Sequence, residues 1–292
     1  MQQDIRLPSA ARGYPNWKED FLSHVMLTIL VAVFFFPFFW TVSSSLKHPS
    51  ELFEFPPSLL PDFPRWANYA RVFEKVPFMD WIGNTAFVVS LGTAGRVLTA
   101  ALAGYAFARF DFRGKYALFM ITLATMMLPP QVTLIPQFIV FHKLKWIDTL
   151  KPMWIPNWFG GGAFSIFLMR QFMLTLPRAL DESAVIDGAS YARIFWSILL
   201  PLCKPALATL AVISIMQKWN SFLGPLIWLN SEEKFTLAVG LNYFKNVPEI
   251  GGEPMQHLMM AASVMSTAPL IVLFFSAQRY FVRGIALTGI KG

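Results

Sequence analysis

Six runs of about twenty mostly apolar residues dominate this sequence, at roughly Phe21–Leu46, Trp81–Ala108, Tyr116–Phe141, Met153–Leu174, Pro205–Leu229 and Leu258–Ala277. At a helical rise of about 1.5 Å per residue, each is long enough to cross a hydrocarbon core of about 30 Å. Composition agrees. With 55% apolar and 14% charged residues and a mean hydropathy of +0.49, too little charge is present to clothe a soluble globule of 292 residues. The expected fold class is an all-α membrane protein of six transmembrane helices, a single membrane domain over residues 1–292 with no internal repeat. A stand-alone cytosolic enzyme, a secreted disulfide scaffold and a disordered tail are excluded.

The basic balance, net charge +7 and pI near 9.6, does not point to nucleic acid, because Lys and Arg are scattered between apolar runs and form no basic stripe. They read instead as membrane orientation. Counted with Arg170 at the end of the fourth run, the connections on the side that holds both termini carry 13 of them against 9 on the other, so the positive-inside rule places both termini in the cytoplasm. A polar segment precedes the first apolar run, which is longer than a signal-peptide core, so it is expected to stay as an anchor. Cys203 is the only cysteine, which rules out an intramolecular disulfide. His24, His48, His142 and His257 are too widely spaced to suggest a metal motif.

Arg96, near the middle of the second run, tests this reading. An arginine at bilayer centre costs about 2.5–3.5 kcal/mol on an insertion scale, and the Leu, Ile, Val and Phe residues between Ile82 and Phe107 recover about 2.7–5.4 kcal/mol. So close a balance predicts that Arg96 turns toward protein or water, in a packed bundle around a path. Prolines at Pro37, Pro129, Pro130, Pro136, Pro225 and Pro269 predict broken helices. Gly160, Gly161 and Gly162 predict close helix approach or local unwinding. Lys218 is expected near the outer boundary, snorkelling. The outer connections, Lys47–Asp80 rich in proline and Ser231–Gln256 with Glu232, Glu233, Glu249, Glu253 and a Gly-Gly break, offer docking surfaces.

The connection over residues 175–204 is the most informative. Thr175 is placed to cap a helix opening near Pro177, Gly188 to close it in a left-handed conformation, and Ser190 to cap a second helix that stops before Pro201. On that second helix the four-residue spacings Ile194/Ile198 and Phe195/Leu199 define one apolar face to pack under the bundle. The first helix is then expected to project Asp181, Glu182 and Asp187 into the cytoplasm.

The spacing of Glu182-Ser183-Ala184, Gly188, Ile198 and Pro201 resembles the EAA loop of bacterial ATP-binding-cassette importer permeases. Where that family has Glu-Ala-Ala this chain has Glu-Ser-Ala, a small replacement that should leave the helix intact. Further segments are similar to the carbohydrate subgroup, the maltose-type second permease family: FEFPPSLLP and WANYARVF in the first outer connection, NTAFVV and YAFARFDFRGK at the ends of the second run, MLPPQVTLIPQF in the third, WNSFLGPLIWLN in the fifth and RYFVRGIALTGIKG at the C-terminus. The resemblance implies a type I importer fold in the bacterial inner membrane. It further implies that Asp181, Glu182, Ser183, Ala184, Asp187 and Gly188 form a coupling helix seated in a cleft of an ATPase dimer, and that Gly289, Ile290, Lys291 and Gly292 reach that dimer. The implied partners are a second homologous permease, the ATPase subunits, an extracytoplasmic substrate-binding protein and membrane lipid, and the implied cargo is a sugar or oligosaccharide.

The chain has no G-x-x-x-x-G-K-[ST] loop, so ATP and Mg belong to the partner ATPase, and no cofactor, metal or catalytic residue is expected here. Because sugars need hydrogen-bonding groups and aromatic faces, Gln217, Trp219, Asn220 and Phe222 of the fifth run, with Arg96, are candidates for lining the translocation path. Two other readings remain open at this stage. The same kind of importer is compatible with glycerol phosphate or a polyol. An autonomous ion-coupled transporter would use Arg96 in its ion path, although no Asp or Glu in the spans offers a proton relay.

Overall fold

The computed structural model describes residues 17–246 and 255–289, and no strand occurs among them. Three helices are each long and apolar enough to cross a membrane: α1 (Trp17–Ser45), α3 (Phe78–Arg109) and α14 (Gln256–Gly289), the first two separated by the short outer helix α2 (Ala67–Lys75). The other runs are interrupted. Residues of the third form α4 (Lys115–Ala124) and α5 (Pro130–Lys143), bent by 102° at Leu128–Pro129. The fourth is α6 (Lys151–Trp154) with a 3-10 turn, then a break at Gly160–Gly162, then α7 (Ala163–Leu174). Next come α8 (Ala179–Ile186), α9 (Tyr191–Ile194), a π turn (Phe195–Leu199) and α10 (Leu200–Leu202). The fifth run is α11 (Lys204–Trp219) and α12 (Leu223–Trp228), and α13 (Leu237–Asn246) lies in the connection before α14.

Proline position decides which runs break. Pro129 and Pro130 stand together, so two successive backbone N–H groups are missing and the chain turns; Pro37 and Pro269 remain inside continuous helices. The glycines at 160–162 all have positive φ (95°, 67° and 88°), the unwinding their sequence suggested. Close approach accompanies it: a Cβ on Gly161 would run into the Arg96 carbonyl oxygen, and one on Gly104 would stand 2.8 Å from the Met169 Cβ. Thus α7 lies directly on α3, its most extensive partner, and α11 covers another side of α3.

The outer connections are more ordered than their composition implies. The amphipathic α2 buries Asn68 and Val72, and Asn68 Nδ2 donates to the carbonyls of Ser45 (2.9 Å) and Lys47 (3.1 Å), tying the loop to the end of α1. In the second, α13 follows a 3-10 turn at Glu232–Lys234, while Glu249, Glu253 and the Gly-Gly pair lie outside the described residues. Between α5 and α6, Asp148 adopts φ +56° and gathers the strand-like exit of α12: its carboxylate accepts from the Asn230 and Ser231 N–H groups (3.0 Å each), Ser231 Oγ (2.6 Å) and Lys234 Nζ (2.8 Å). Burial alone would push this carboxyl up, but the bonds from Lys234, Ser231 and Asn230 outweigh it and hold Asp148 well below the usual carboxylate range.

Two apolar clusters result. The outer one joins Phe78, Trp81 and Val88 of α3 to Trp228, Phe235, Leu237 and the start of α14. The inner one joins Ala100, Tyr105 and Ala108 of α3 to Met169 and Met173 of α7 and to Ile194, Phe195 and Leu199. Arg96 falls between them along α3. Arg170, reckoned from the sequence among the charges of the following connection, instead stands within α7, where its Cζ lies 4.3 Å from the Phe119 ring centroid. Most of α1 faces outward, with large apolar side chains from Phe21 to Phe36 exposed, as a lipid-facing helix requires.

Candidate functional site

The first candidate element is the 175–204 connection. Thr175 does not cap α8; its Oγ1 donates back to the Phe172 carbonyl (2.7 Å), and Arg178 occupies the cap position without a side-chain bond. The far end follows the sequence reading closely. Gly188 has φ +77°, and the paired bonds Ala189 N–H to Ala184 O (2.9 Å) and Gly188 N–H to Val185 O (3.0 Å) close α8 in a Schellman motif. Ser190 Oγ then accepts from the Arg193 N–H (3.3 Å) and opens the next helix.

That second helix runs through Pro201 to Leu202 rather than stopping before it. A π turn at Phe195–Leu199, with the Leu200 N–H reaching back to Phe195 O, precedes the proline and widens the backbone where its ring would otherwise meet the carbonyl four residues earlier. The axis then turns by 76° into α11. Ile194, Phe195 and Leu199 are fully buried in the inner cluster, so the apolar face expected from their spacing packs under the bundle.

On α8, Ala184 is buried while Glu182, Ser183, Asp187 and Gly188 are exposed. Ser183 Oγ donates to Leu180 O (3.2 Å), which absorbs the extra hydroxyl within the helix. Asp181 departs from expectation. It turns inward, with Oδ2 3.1 Å from Arg109 Nε at the end of α3, and Arg109 Nη2 also donates to Leu176 O (3.1 Å). The expectation of an all-acidic cytoplasmic face missed this because Arg109 is 72 residues away in sequence. It also missed the apolar exposure of Val185 (49%) and Ile186 (86%), which is uncovered surface on the same helix. Of the C-terminal candidates, Gly289 ends α14, and Ile290, Lys291 and Gly292 lie outside the described residues.

The second element is a cavity of about 270 Å³ among α3, α6, α11 and α12. Arg96 and Gln217, both candidates from the sequence, meet here: Arg96 Nη1 donates to Gln217 Oε1 (2.6 Å), and Arg96 Nε donates to Ser165 Oγ on α7 (2.6 Å). Lys218 joins them. Far from snorkelling outward, it lines the same cavity and donates to Asn157 Oδ1 (2.7 Å), because its stem passes over Gly92, where any side chain would collide with it. The other candidates lie elsewhere. Trp219 packs on the outer cluster and donates from Nε1 to Ser266 O of α14 (3.1 Å). Asn220 bonds to Met216 O (2.9 Å) at the end of α11, and Phe222 packs on the outer cluster.

The crystal structure of a bacterial ABC transporter involved in the import of the acidic polysaccharide alginate contains a chain similar to this one, with 27% identity and a TM-score of 0.81 over 92% of this chain and 99% of that one. The bundle is therefore the transmembrane subunit of a type I ABC importer. The chain belongs to the family described as the inner membrane component of binding-protein-dependent transport systems, which matches over residues 96–287. Its relatives include the arabinooligosaccharides transport system permease protein AraQ of Bacillus subtilis (strain 168), 32% identical over 93% of this chain and 94% of that protein. Another is the sn-glycerol-3-phosphate transport system permease protein UgpE of Yersinia pestis bv. Antiqua (strain Antiqua), 31% identical over 91% and 95%. Family membership makes this chain a transport component of the inner membrane and sets aside the autonomous ion-coupled transporter.

Proposed function

We propose that this chain carries a sugar, an oligosaccharide or a polyol phosphate through the inner membrane by alternating access, driven by a separate ATPase dimer. The cargo class is supported by the permeases it resembles, whose names specify arabinooligosaccharides and sn-glycerol 3-phosphate. A second permease completes the path, an extracytoplasmic binding protein delivers the solute, and ATP and Mg are held by the ATPase. Both termini face the cytoplasm, and the tail Gly289–Gly292 reaches the ATPase dimer.

The observation that carries the mechanism is α8, a short helix with one wall fixed and one wall bare. Arg109 and the Schellman turn at Gly188 hold it to the bundle, while Glu182, Val185 and Ile186 face outward. A helix so held transmits a push from an ATPase cleft as a rigid displacement of α3 and α11, the rocking needed to open opposite sides in turn. Glu182 supplies a charge for pairing with a cation of that cleft, and Ile186 an apolar contact.

The test is affinity purification of the tagged chain from its native membranes in mild detergent, with companions identified by mass spectrometry. Recovery of an ATPase and a second permease in stoichiometric amounts is the expected result. Recovery of this chain alone, including after cross-linking, would overturn the assembly.

A further inference from the structure

Arg96 and Lys218 come from helices far apart in sequence, yet both line the cavity between the apolar clusters, and no Asp or Glu lines it with them. Among the described residues neither forms an ion pair; the three salt bridges belong to Arg109, Lys115 and Lys234. Their partners are neutral oxygens: Ser165 and Gln217 for Arg96, and Asn157 for Lys218.

Such partners orient a cation without neutralising it. A guanidinium carries five N–H donors and an ammonium three, so most of their hydrogen-bonding capacity is unspent. Two like charges held together inside an apolar layer are costly, and intramembrane cations ordinarily pair with an opposite charge or with backbone carbonyls. What offsets that cost in a transport subunit is an anion that arrives and leaves. The cavity, small beside typical ligand pockets of about 300–1,000 Å³, suits one charged unit rather than a whole chain.

We propose that this cavity is an anion-recognising station on the translocation path, and that the solute carries a carboxylate or phosphate on a sugar or polyol unit. The inference rests on the reading of this chain as a carbohydrate importer permease and narrows its cargo. Arg96 supplies a planar fork that grips two oxygens, and Lys218 supplies a point charge from the facing helix. Both must let go when the bundle rocks, and neutral partners already in place receive their N–H groups again.

The test uses the whole complex with its binding protein, reconstituted in liposomes and supplied with ATP. Uptake is measured for three radiolabelled probes: galacturonate oligomers of two to five units, sn-glycerol 3-phosphate, and neutral arabino-oligosaccharides of the same lengths. The expected result is ATP-dependent uptake of one of the two anions, which also separates carboxylate from phosphate. Arg96→Gln and Lys218→Gln should each lower that uptake at least tenfold, and Arg96→Lys with Lys218→Arg should retain most of it. Transport of the neutral oligosaccharides alone, at equal rates in wild type and Gln variants, overturns the anion station and leaves the carbohydrate importer standing. Uptake of none of the probes also overturns the anion station, and the importer reading then stands or falls with the co-purification. Gln variants that lose the second permease on purification also overturn it, since the cations would then be pairing with a carboxylate across that interface.

Discussion

Arg109 Nε stands 3.1 Å from Asp181 Oδ2, joining the last turn of α3 to the first turn of α8, and the two side chains are only 6% and 20% exposed. With the buried Ala184 and the Schellman turn at Gly188, this contact fixes the position of α8 relative to α3. Removing either partner leaves a charge with little water around it. Arg109→Ala and Asp181→Ala should each destabilise the chain by an amount at or below the lower end of about 3–5 kcal/mol, because Asp181 retains some solvent. The double variant should cost less than the sum of the singles. Thermal unfolding of the four purified forms measures this, and strict additivity would show that the pair is not coupled.

Glu182→Ala and Ile186→Asp alter only the bare wall of α8. Both should leave the melting temperature of the isolated chain nearly unchanged, while truncating a desolvated Glu182 pair should weaken ATPase association by about 2–5 kcal/mol. Co-purification of the ATPase with each variant is the readout, and undiminished recovery with transport intact would dissociate α8 from the ATPase.

Gly161→Ala meets two penalties at once: φ of +67° and a collision with the Arg96 carbonyl. Backbone strain of this kind costs about 1–3 kcal/mol, and the clash adds to it by pushing α7 off α3. Gly162→Ala meets open space, but its backbone (φ +88°, ψ 150°) lies in a region essentially confined to glycine, so its whole cost is strain without collision. Melting temperatures of the two variants check both costs, and an unchanged value for Gly161→Ala would refute the close approach to Arg96.

The Asp148 carboxyl is held below its unfolded value near about 3.9, so its contribution to stability is present above that pH and is lost as pH falls through the depressed folded value. Asp148→Asn should flatten this part of the acid limb, while tolerating φ of +56°, which asparagine accepts more readily than most residues. Melting temperatures between about pH 5 and pH 2 test this by comparison with wild type.

Local chemistry was legible where it was decided within a few residues. Gly188 and Ser190 could be assigned because a left-handed cap and a side-chain cap are made by adjacent backbone, and the Ile194, Phe195 and Leu199 face because helical spacing alone defines it. Arg96 and Gln217 could be named but not joined, since 121 residues separate them and their bond depends on how α3 and α11 pack. Lys218 was misplaced for a related reason: snorkelling depends on what lies beside the stem, and the hole at Gly92 is a property of another helix. Runs of apolar residues, finally, specify length but not straightness. The 102° bend after α4 and the interrupted fourth and fifth runs follow from prolines and glycines whose effect depends on the neighbours available to satisfy the opened backbone.

The π turn at Phe195–Leu199 holds one more residue than a regular helix would use over the same rise. Deleting that surplus residue restores an unbroken α-helix with both flanks in phase, so Ile194 and Leu199 both stay in the inner cluster; what is lost is the widened backbone that makes room for the Pro201 ring. A deletion in a regular turn of the neighbouring helices has no such slack and rotates everything on one side by about 100° relative to the other, re-aiming α8 against the bundle. The π turn is thus the one place in this segment where the chain can shed a residue without losing its phase.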